Sequence, residues 1–230
     1  MTKRAFDIII ATILLIIAVP LIVISAIAIK INSPGPIFYK ARRAGIDGTL
    51  FHMLKLRTMQ VGLDSADKRV TEENDNRITL VGTILRKYKI DELPQFWNVL
   101  CGDMSIVGPR PEDWEIVQHH YTERQMKTLT VRPGIASYAE ARWYPDLIYH
   151  DPPPADVAMQ TWYIQRHMPT ELEESLRYVE EQSLWLDLKI MVQIARNVLV
   201  YSFIQPKKLT FSDELDIEAG RGTLVGASPQ

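Results

Sequence analysis

At 230 residues, with 47% hydrophobic positions and a formal net charge of -2, the chain has room for one full domain and a short appendage. That composition excludes a disordered chain, a collagen-like repeat and a multi-span transporter, and a single cysteine, Cys101, excludes a disulfide scaffold and suits a reducing cytoplasm. The charge is uneven: residues 1–57 carry +6 and the remainder -8, so a basic end fit for anionic headgroups and phosphates precedes an acidic body that argues against nucleic acid as a partner.

The first element is residues 8–29, 22 positions without a charge, 19 of them apolar. A signal peptide, a spanning helix and a re-entrant helix all compete for it. The run is longer than a signal core and long enough to span the hydrocarbon. Pro20 near its middle removes a backbone hydrogen bond and predicts a break or bend. Both flanks are basic, Lys3 and Arg4 before, Lys30, Lys40, Arg42 and Arg43 after, so both ask for the cytoplasmic face. A helix that enters, breaks at Pro20 and returns satisfies both flanks, and a kinked spanning helix remains the alternative.

The cluster Asn32-Ser33-Pro34-Gly35-Pro36 marks the exit from this segment. Residues 37–59 read as two strands around a turn at Asp47-Gly48, with Lys55 and Arg57 on one face, and Gly62 to Arg77 as a polar surface excursion. Residues 78–89 read as a helix. Asp91 reads as the N-cap of the next one, with Glu92 and Pro94 in its first turn and Gly102 as its stop. A further helix is expected over 112–129, and Thr170 with Glu173 forms a capping-box pattern opening another. Residues 184–203 are amphipathic and suit either a core-facing helix or one in the membrane interface. Residues 205–230 are expected to be extended or loose. The divisions are thus 1–33 for the apolar helix, 34–204 for the polar body and 205–230 for an extension.

The chemistry concentrates around Asp91-Glu92. An ionised Asp held by backbone N–H groups could attack a phosphoryl group, while its neighbour could hold a divalent cation through oxygen. A plain helix cap is the competing reading. Pro109-Arg110-Pro111 fixes an Arg between two residues of restricted φ, Arg132-Pro133-Gly134 repeats the device, and Arg86 and Lys55 add cations suited to phosphates. Surface ion pairs are the ordinary fate of such residues. No P-loop, dinucleotide fingerprint or nucleophile elbow occurs, and the five His lack zinc-ligand spacing.

Taken in order, Lys3-Arg4-Ala5-Phe6-Asp7, the run with Pro20, Pro34-Gly35-Pro36, Lys55-Leu56-Arg57-Thr58-Met59, Asp91-Glu92-Leu93-Pro94-Gln95, Asn98-Val99-Leu100, Gly102-Asp103-Met104-Ser105, Gly108-Pro109-Arg110-Pro111 and Arg132-Pro133-Gly134 resemble the bacterial sugar transferase family. These are monotopic phosphoglycosyl transferases acting on polyprenyl phosphate, and the similarity, to the compact members, runs from about residue 3 to 203. The resemblance implies an α/β, helix-rich cytoplasmic catalytic domain with a re-entrant N-terminal membrane helix and interfacial amphipathic helices, at the cytoplasmic face of a bacterial inner membrane. It implies transfer of a sugar 1-phosphate from a UDP-sugar to undecaprenyl phosphate, releasing UMP, with Asp91 as a nucleophile that becomes phospho-aspartyl and Glu92 as the Mg²⁺ ligand. Lys55, Arg86, Arg110 and Arg132 would bind phosphate, Asp103 would support the site, and Pro20 would break the helix. The partners implied are undecaprenyl phosphate, a nucleoside-diphosphate sugar and membrane lipids, with a homodimer left open.

The chain departs from the family pattern in three places. Val19 precedes Pro20 where Ser is frequent, and Tyr88-Lys89 replace small polar residues before the Asp. After Arg132-Pro133-Gly134, the stretch Ile135 to Trp143 differs from the usual T-G-L-x-Q-V-x-G-R, and Glu140 carries a charge where a neutral amide is usual. A non-catalytic membrane scaffold of the same fold is the alternative function.

Overall fold

The computed structural model describes residues 2–62, 75–142, 153–154 and 156–204, with 201–204 as backbone alone. The centre of the excursion after Gly62, the end of the divergent stretch at Trp143, and the extension over 205–230 lie outside the described residues.

Helix α1 (Thr2–Asn32) is a single helix that carries Pro20 inside it and continues through that residue. Among the described residues it is the one helix whose length and apolarity suit a membrane span. Its buried positions, Asp7, Ala11, Ala18, Ser25 and Ile29, recur at spacings of three or four or their sums, the single stripe that one helix face presents. Large apolar residues such as Ile16, Ile17 and Ile24 stay exposed on the rest of its circumference.

Both ends of α1 dock on one body. Near the start, Ser105 Oγ and the Ile106 N–H donate to the two oxygens of Asp7 at 2.9 and 3.1 Å, and Lys3 Nζ donates to Asp187 Oδ2 at 2.7 Å. Near the end, Ile29 packs with Leu56 and Leu85. A straight helix would separate Asp7 from Ile29 by about 33 Å, more than the thickness of a hydrocarbon core. The same polar body therefore meets both ends of an apolar segment.

After the exit, buried Arg57 donates to the carbonyls of Ser33 and Pro36 and to Ser33 Oγ, which fixes the turn away from α1. Strands β1 (Phe38–Ala44) and β2 (Leu50–Leu56) pair antiparallel, from Phe38 opposite Leu56 to Ala44 opposite Leu50, around the expected turn. Asp47 takes a left-handed conformation there (φ 55°), which a short polar side chain tolerates. Because β2 ends at Leu56, strand alternation does not extend to Arg57, and Arg57 serves the exit turn rather than sharing a face with Lys55.

Helix α2 (Leu80–Lys87) is capped by Thr79, whose Oγ1 accepts from the Gly82 N–H at 2.9 Å. Helix α3 (Gln95–Cys101) begins later than the cap reading expected. Asp91 lies inside a 3-10 turn over Ile90–Glu92, and Pro94 stands at the N-cap. The Leu93 N–H donates to the Ile90 carbonyl at 3.2 Å, a tight turn, and Pro94 has no N–H with which to continue an α-ladder back to Ile90. Gly102 ends α3 in the left-handed region (φ 95°), as expected of a helix stop.

Strand β3 (Ser105–Val107) pairs in parallel with β4 (Gly134–Ala136). The two backbones meet so closely at Gly108 and Gly134 that a Cβ on Gly134 would fall 2.1 Å from the Gly108 nitrogen. Between them the single helix expected over 112–129 divides into α4 (Trp114–His120) and α5 (Glu123–Met126). Tyr121 is extended, and Thr122 with Gln125 forms a capping box that restarts the helix. Helix α6 (Tyr138–Arg142) follows β4. Helix α7 (Met159–Trp162) runs through a π-turn (Tyr163–His167) into α8 (Met168–Glu181), so Thr170 falls inside a helix already begun and does not open one.

Helix α9 (Leu184–Ile204) is partly core-facing. Asp187 and Ile190 are buried, while Trp185, Leu188, Val192 and Leu199 are exposed. The main core gathers Ala11, Met53, Val99, Met104, Ile106, Val107, Tyr178 and Ile190, so α1, the hairpin, the parallel pair and the two last helices share one interior. The architecture is α/β, mixed and helix-rich.

Candidate active site

Lys55 near the end of β2 and Glu92 in the 3-10 turn form the centre of the site, with Lys55 Nζ donating to Glu92 Oε1 at 2.8 Å. Strand β2 is held in place for this contact by Asn98 of α3. Its Oδ1 accepts from the Leu54 N–H at 2.9 Å and its Nδ2 donates to the His52 carbonyl at 2.9 Å, which pins the strand on either side of Met53. The same Nδ2 donates to Asp103 Oδ2 at 3.1 Å. Asp103 thus orients the amide that positions the strand bearing Lys55.

Asp91 is buried, 6% exposed. Burial raises its pKa, the adjacent Glu92 charge raises it further, and Lys55, Arg86 and Lys89 pull against that rise. Glu92 goes the other way. Burial acts to raise its pKa, but the charges of Lys55, Lys89 and Arg110 and the hydrogen bond from Lys55 outweigh it and hold the carboxyl well below the usual range. The pair is therefore differentiated: Glu92 is the firmly ionised member, and Asp91 is the one that takes up a proton first as the pH falls.

Arg86 is placed by helix α2. Gly82 lies against the loop after β2, where a Cβ would come 2.1 Å from the Thr58 carbonyl oxygen, and Arg86 Nε donates to Thr58 Oγ1 at 2.9 Å. Arg110 is exposed, and its charge acts on Glu92 and on the buried Tyr163. Lys55, Arg86 and Arg110 therefore converge on the carboxylate pair. Arg132 serves elsewhere: its Nε donates to the Gly102 carbonyl at 2.7 Å, and Arg4 donates to the carbonyls of Val99 and Leu100, so two arginines satisfy the end of α3. Pro20 lies within α1, far along the chain from these contacts.

Lys89 was not singled out as a site residue by the sequence. It adopts the left-handed conformation (φ 55°, ψ 23°) immediately before the 3-10 turn, its carbonyl accepts from the Glu92 N–H, and its charge acts on both carboxylates. Its departure from a small polar residue was the available signal. Asn98 was visible only as part of a motif, without a role.

Among the described residues, no group of three or more His, Cys, Asp or Glu side chains is arranged to hold a metal ion. Two adjacent carboxylates, one of them firmly ionised, do fit Mg²⁺, which takes one or two carboxylates and fills its octahedron with water and substrate phosphates. Glu92 is the residue that would hold it.

The sequence profile of the family described as bacterial sugar transferase matches residues 1–201. The chain is 38% identical over 196 residues to the UDP-glucose:undecaprenyl-phosphate glucose-1-phosphate transferase of Escherichia coli (strain K12), covering 82% of this chain and 38% of that protein. It is 36% identical over 200 residues to the protein of the same description from Caulobacter vibrioides, covering 86% and 69%. It is 34% identical over 199 residues to the UDP-N-acetylgalactosamine-undecaprenyl-phosphate N-acetylgalactosaminephosphotransferase of Aeromonas hydrophila, covering 86% and 43%. The chain spans less than half the length of the first and last of these relatives.

Proposed function

The chain belongs to the bacterial sugar transferase family, and on that premise we propose that it transfers a sugar 1-phosphate from a UDP-sugar to undecaprenyl phosphate. The observation that carries this reading is the differentiated pair: a buried Asp91 beside a firmly ionised Glu92, with Lys55, Arg86, Lys89 and Arg110 acting on the two carboxylates.

In this reading an Asp91 carboxylate oxygen attacks the sugar-bearing phosphorus of the donor. The bond from that phosphorus to the bridging oxygen breaks, UMP leaves, and a phospho-aspartyl sugar ester forms. A phosphate oxygen of undecaprenyl phosphate then attacks the same phosphorus and displaces Asp91, giving undecaprenyl-diphosphate-sugar. Covalent catalysis divides one transfer into two displacements, each between anionic partners, so the surrounding cations offset charge that would otherwise repel them. Mg²⁺, bound through Glu92, would supply charge neutralisation at the diphosphate. Lys55 keeps Glu92 oriented, and Arg86 and Arg110 face the donor phosphates.

The acceptor phosphate stays at a membrane surface, so the site must sit there too. Basic flanks and the docking of both ends of α1 on the body that carries Asp91 support a helix that dips into one leaflet and returns. In this reading the body lies on the cytoplasmic face of the inner membrane. The exposed apolar residues of α9 suit the interface. Incubating the purified protein with Mg²⁺, undecaprenyl phosphate and a panel of UDP-sugars tests the reaction. UMP release with at least one donor supports it, and silence across the panel leaves a membrane scaffold of the same fold.

A further inference from the structure

The two departures nearest the chemistry, Lys89 and Glu140, lie 51 positions apart in sequence and touch. Lys89 Nζ donates to Glu140 Oε1 at 2.9 Å. Glu140 is rigidly mounted: its N–H donates to Ser137 Oγ at 3.0 Å, the adjacent Ala141 carbonyl accepts from Asn197 of α9 at 2.8 Å, and the neighbouring Arg142 pairs with Glu174 of α8 at 3.1 Å. Its carboxylate is nearly sealed from solvent (8% exposed), whereas the Lys89 side chain is 28% exposed. A fixed carboxylate therefore holds a longer, more accessible arm.

The backbone of Lys89 is as constrained as its ammonium. A non-glycine residue in the left-handed region is a strained choice, and it is made at the residue whose carbonyl starts the turn bearing Asp91 and Glu92. Lys55 is already committed to Glu92 and Arg86 to Thr58. Lys89 pairs with a carboxylate from outside the pair, on the segment that diverges after Arg132-Pro133-Gly134.

We propose that Lys89 is a ligand for the diphosphate of the nucleotide donor, and that Glu140 is its positioning residue, holding the ammonium beside the carboxylate pair until the donor's anionic oxygens take it over. This deepens the reading of the site given above and rests on it. It also gives the divergent segment a role, since that segment then sets how the donor's charged end is received beside the nucleophile. The two departures compensate each other, because Lys89 adds a positive charge to the mouth and Glu140 balances it while the donor is absent.

The test is a double-mutant cycle with Lys89→Asn, which removes the charge but tolerates the left-handed backbone, Glu140→Gln and the combined variant, in the full chain. UDP binding with Mg²⁺ is measured calorimetrically, together with KM and kcat for the donor that the panel identifies. Each single change is expected to weaken UDP binding and raise the donor KM about tenfold, the worth of one charge-assisted hydrogen bond. The double variant should lose no more than the worse single variant, and the KM for undecaprenyl phosphate should stay within about twofold of wild type, the spread expected of an uncoupled site. Independent, multiplicative losses would overturn the positioning of Lys89 by Glu140, and equal effects on donor and acceptor together with a lower melting temperature would overturn the proposal in favour of a purely structural ion pair. Failure of UDP to bind the wild-type protein would overturn it too. UDP binding without turnover would instead sink the transferase reading while leaving the binding cycle fully readable.

Discussion

Lys55 Nζ lies 2.8 Å from Glu92 Oε1, and this contact joins the end of a strand to the turn that carries the proposed nucleophile. It is one of the contacts that hold Glu92 ionised, while burial and the Glu92 charge raise the pKa of Asp91. Replacing Lys55 by Met leaves Glu92 with a half-buried charge and no hydrogen bond from Lys55. We expect kcat/KM to fall roughly 10- to 100-fold, the cost of about 1.5–3 kcal/mol for a charged hydrogen bond. A Lys55→Met enzyme with wild-type kcat/KM would remove Lys55 from the site.

The acidities give a pH dependence with a defined sign. Asp91 must be ionised to attack, and its pKa is raised by burial and by Glu92. The rate should therefore be full above that raised value and fall as the pH drops through it, with an acid limb above the ordinary aspartate range. Glu92 titrates far lower and adds no limb there. A profile flat down to about pH 4, the ordinary aspartate value, would contradict the assignment.

The same raised pKa makes the ionised Asp91 a cost to folding at neutral pH. Stability should grow as the pH falls through its folded-state value, and Asp91→Asn should stabilise the fold by roughly 1 kcal/mol while abolishing transfer. Glu92→Gln should do the reverse, since a carboxylate held low in the folded state contributes stability above the unfolded pKa and loses it as the pH falls. Thermal melts of the two variants at neutral pH decide this, and a destabilised Asp91→Asn protein would contradict it.

Gly82 is a steric requirement for the placement of Arg86. A Cβ at this position would meet the Thr58 carbonyl oxygen at 2.1 Å. Gly82→Ala should lower stability by about 1–3 kcal/mol, the range for overpacking, and should weaken activity further than its effect on melting alone would require. An Ala variant with wild-type melting and activity would show that α2 has room to shift.

For the course of α1, cysteines placed at Thr2 and Asn32, in a background where exposed Cys101 is replaced by Ser, should both react with an impermeant reagent only from the cytoplasmic side. Labelling from opposite sides would replace the re-entrant course by a spanning one. Asp187→Asn weakens the contact that docks Lys3 and should shift this pattern or reduce yield.

Local rules made much of this fold legible. The turn at Asp47-Gly48 and the stop at Gly102 follow from residues that act on their own backbone, while the helix expected over 78–89 is shorter, Leu80–Lys87. The failures have a common cause, which is that a local signal was outvoted by its neighbours in space or sequence. Pro94 moved the start of α3 past Asp91, the helix begun at Met159 absorbed the cap at Thr170, and the end of β2 at Leu56 turned Arg57 toward Ser33. At the site, Asp91, Glu92, Lys55 and Arg86 stand together as their chemistry suggested. The bond from Arg132 to the carbonyl at the end of α3 was not legible, because that carbonyl lies 30 positions away. Lys89 and Glu140 were each visible as an oddity, and only their contact shows that the two explain each other.

The most direct test of Asp91 as the covalent nucleophile is a single-turnover reaction without acceptor. Wild-type protein and the Asp91→Asn variant are each mixed with Mg²⁺ and the active UDP-sugar, and UMP and intact protein mass are followed. The wild type is expected to release one equivalent of UMP and to gain the mass of one sugar phosphate on the peptide containing Asp91. The variant should do neither. Turnover of Asp91→Asn at the wild-type rate, or a sugar phosphate carried on a different residue, would contradict the assignment.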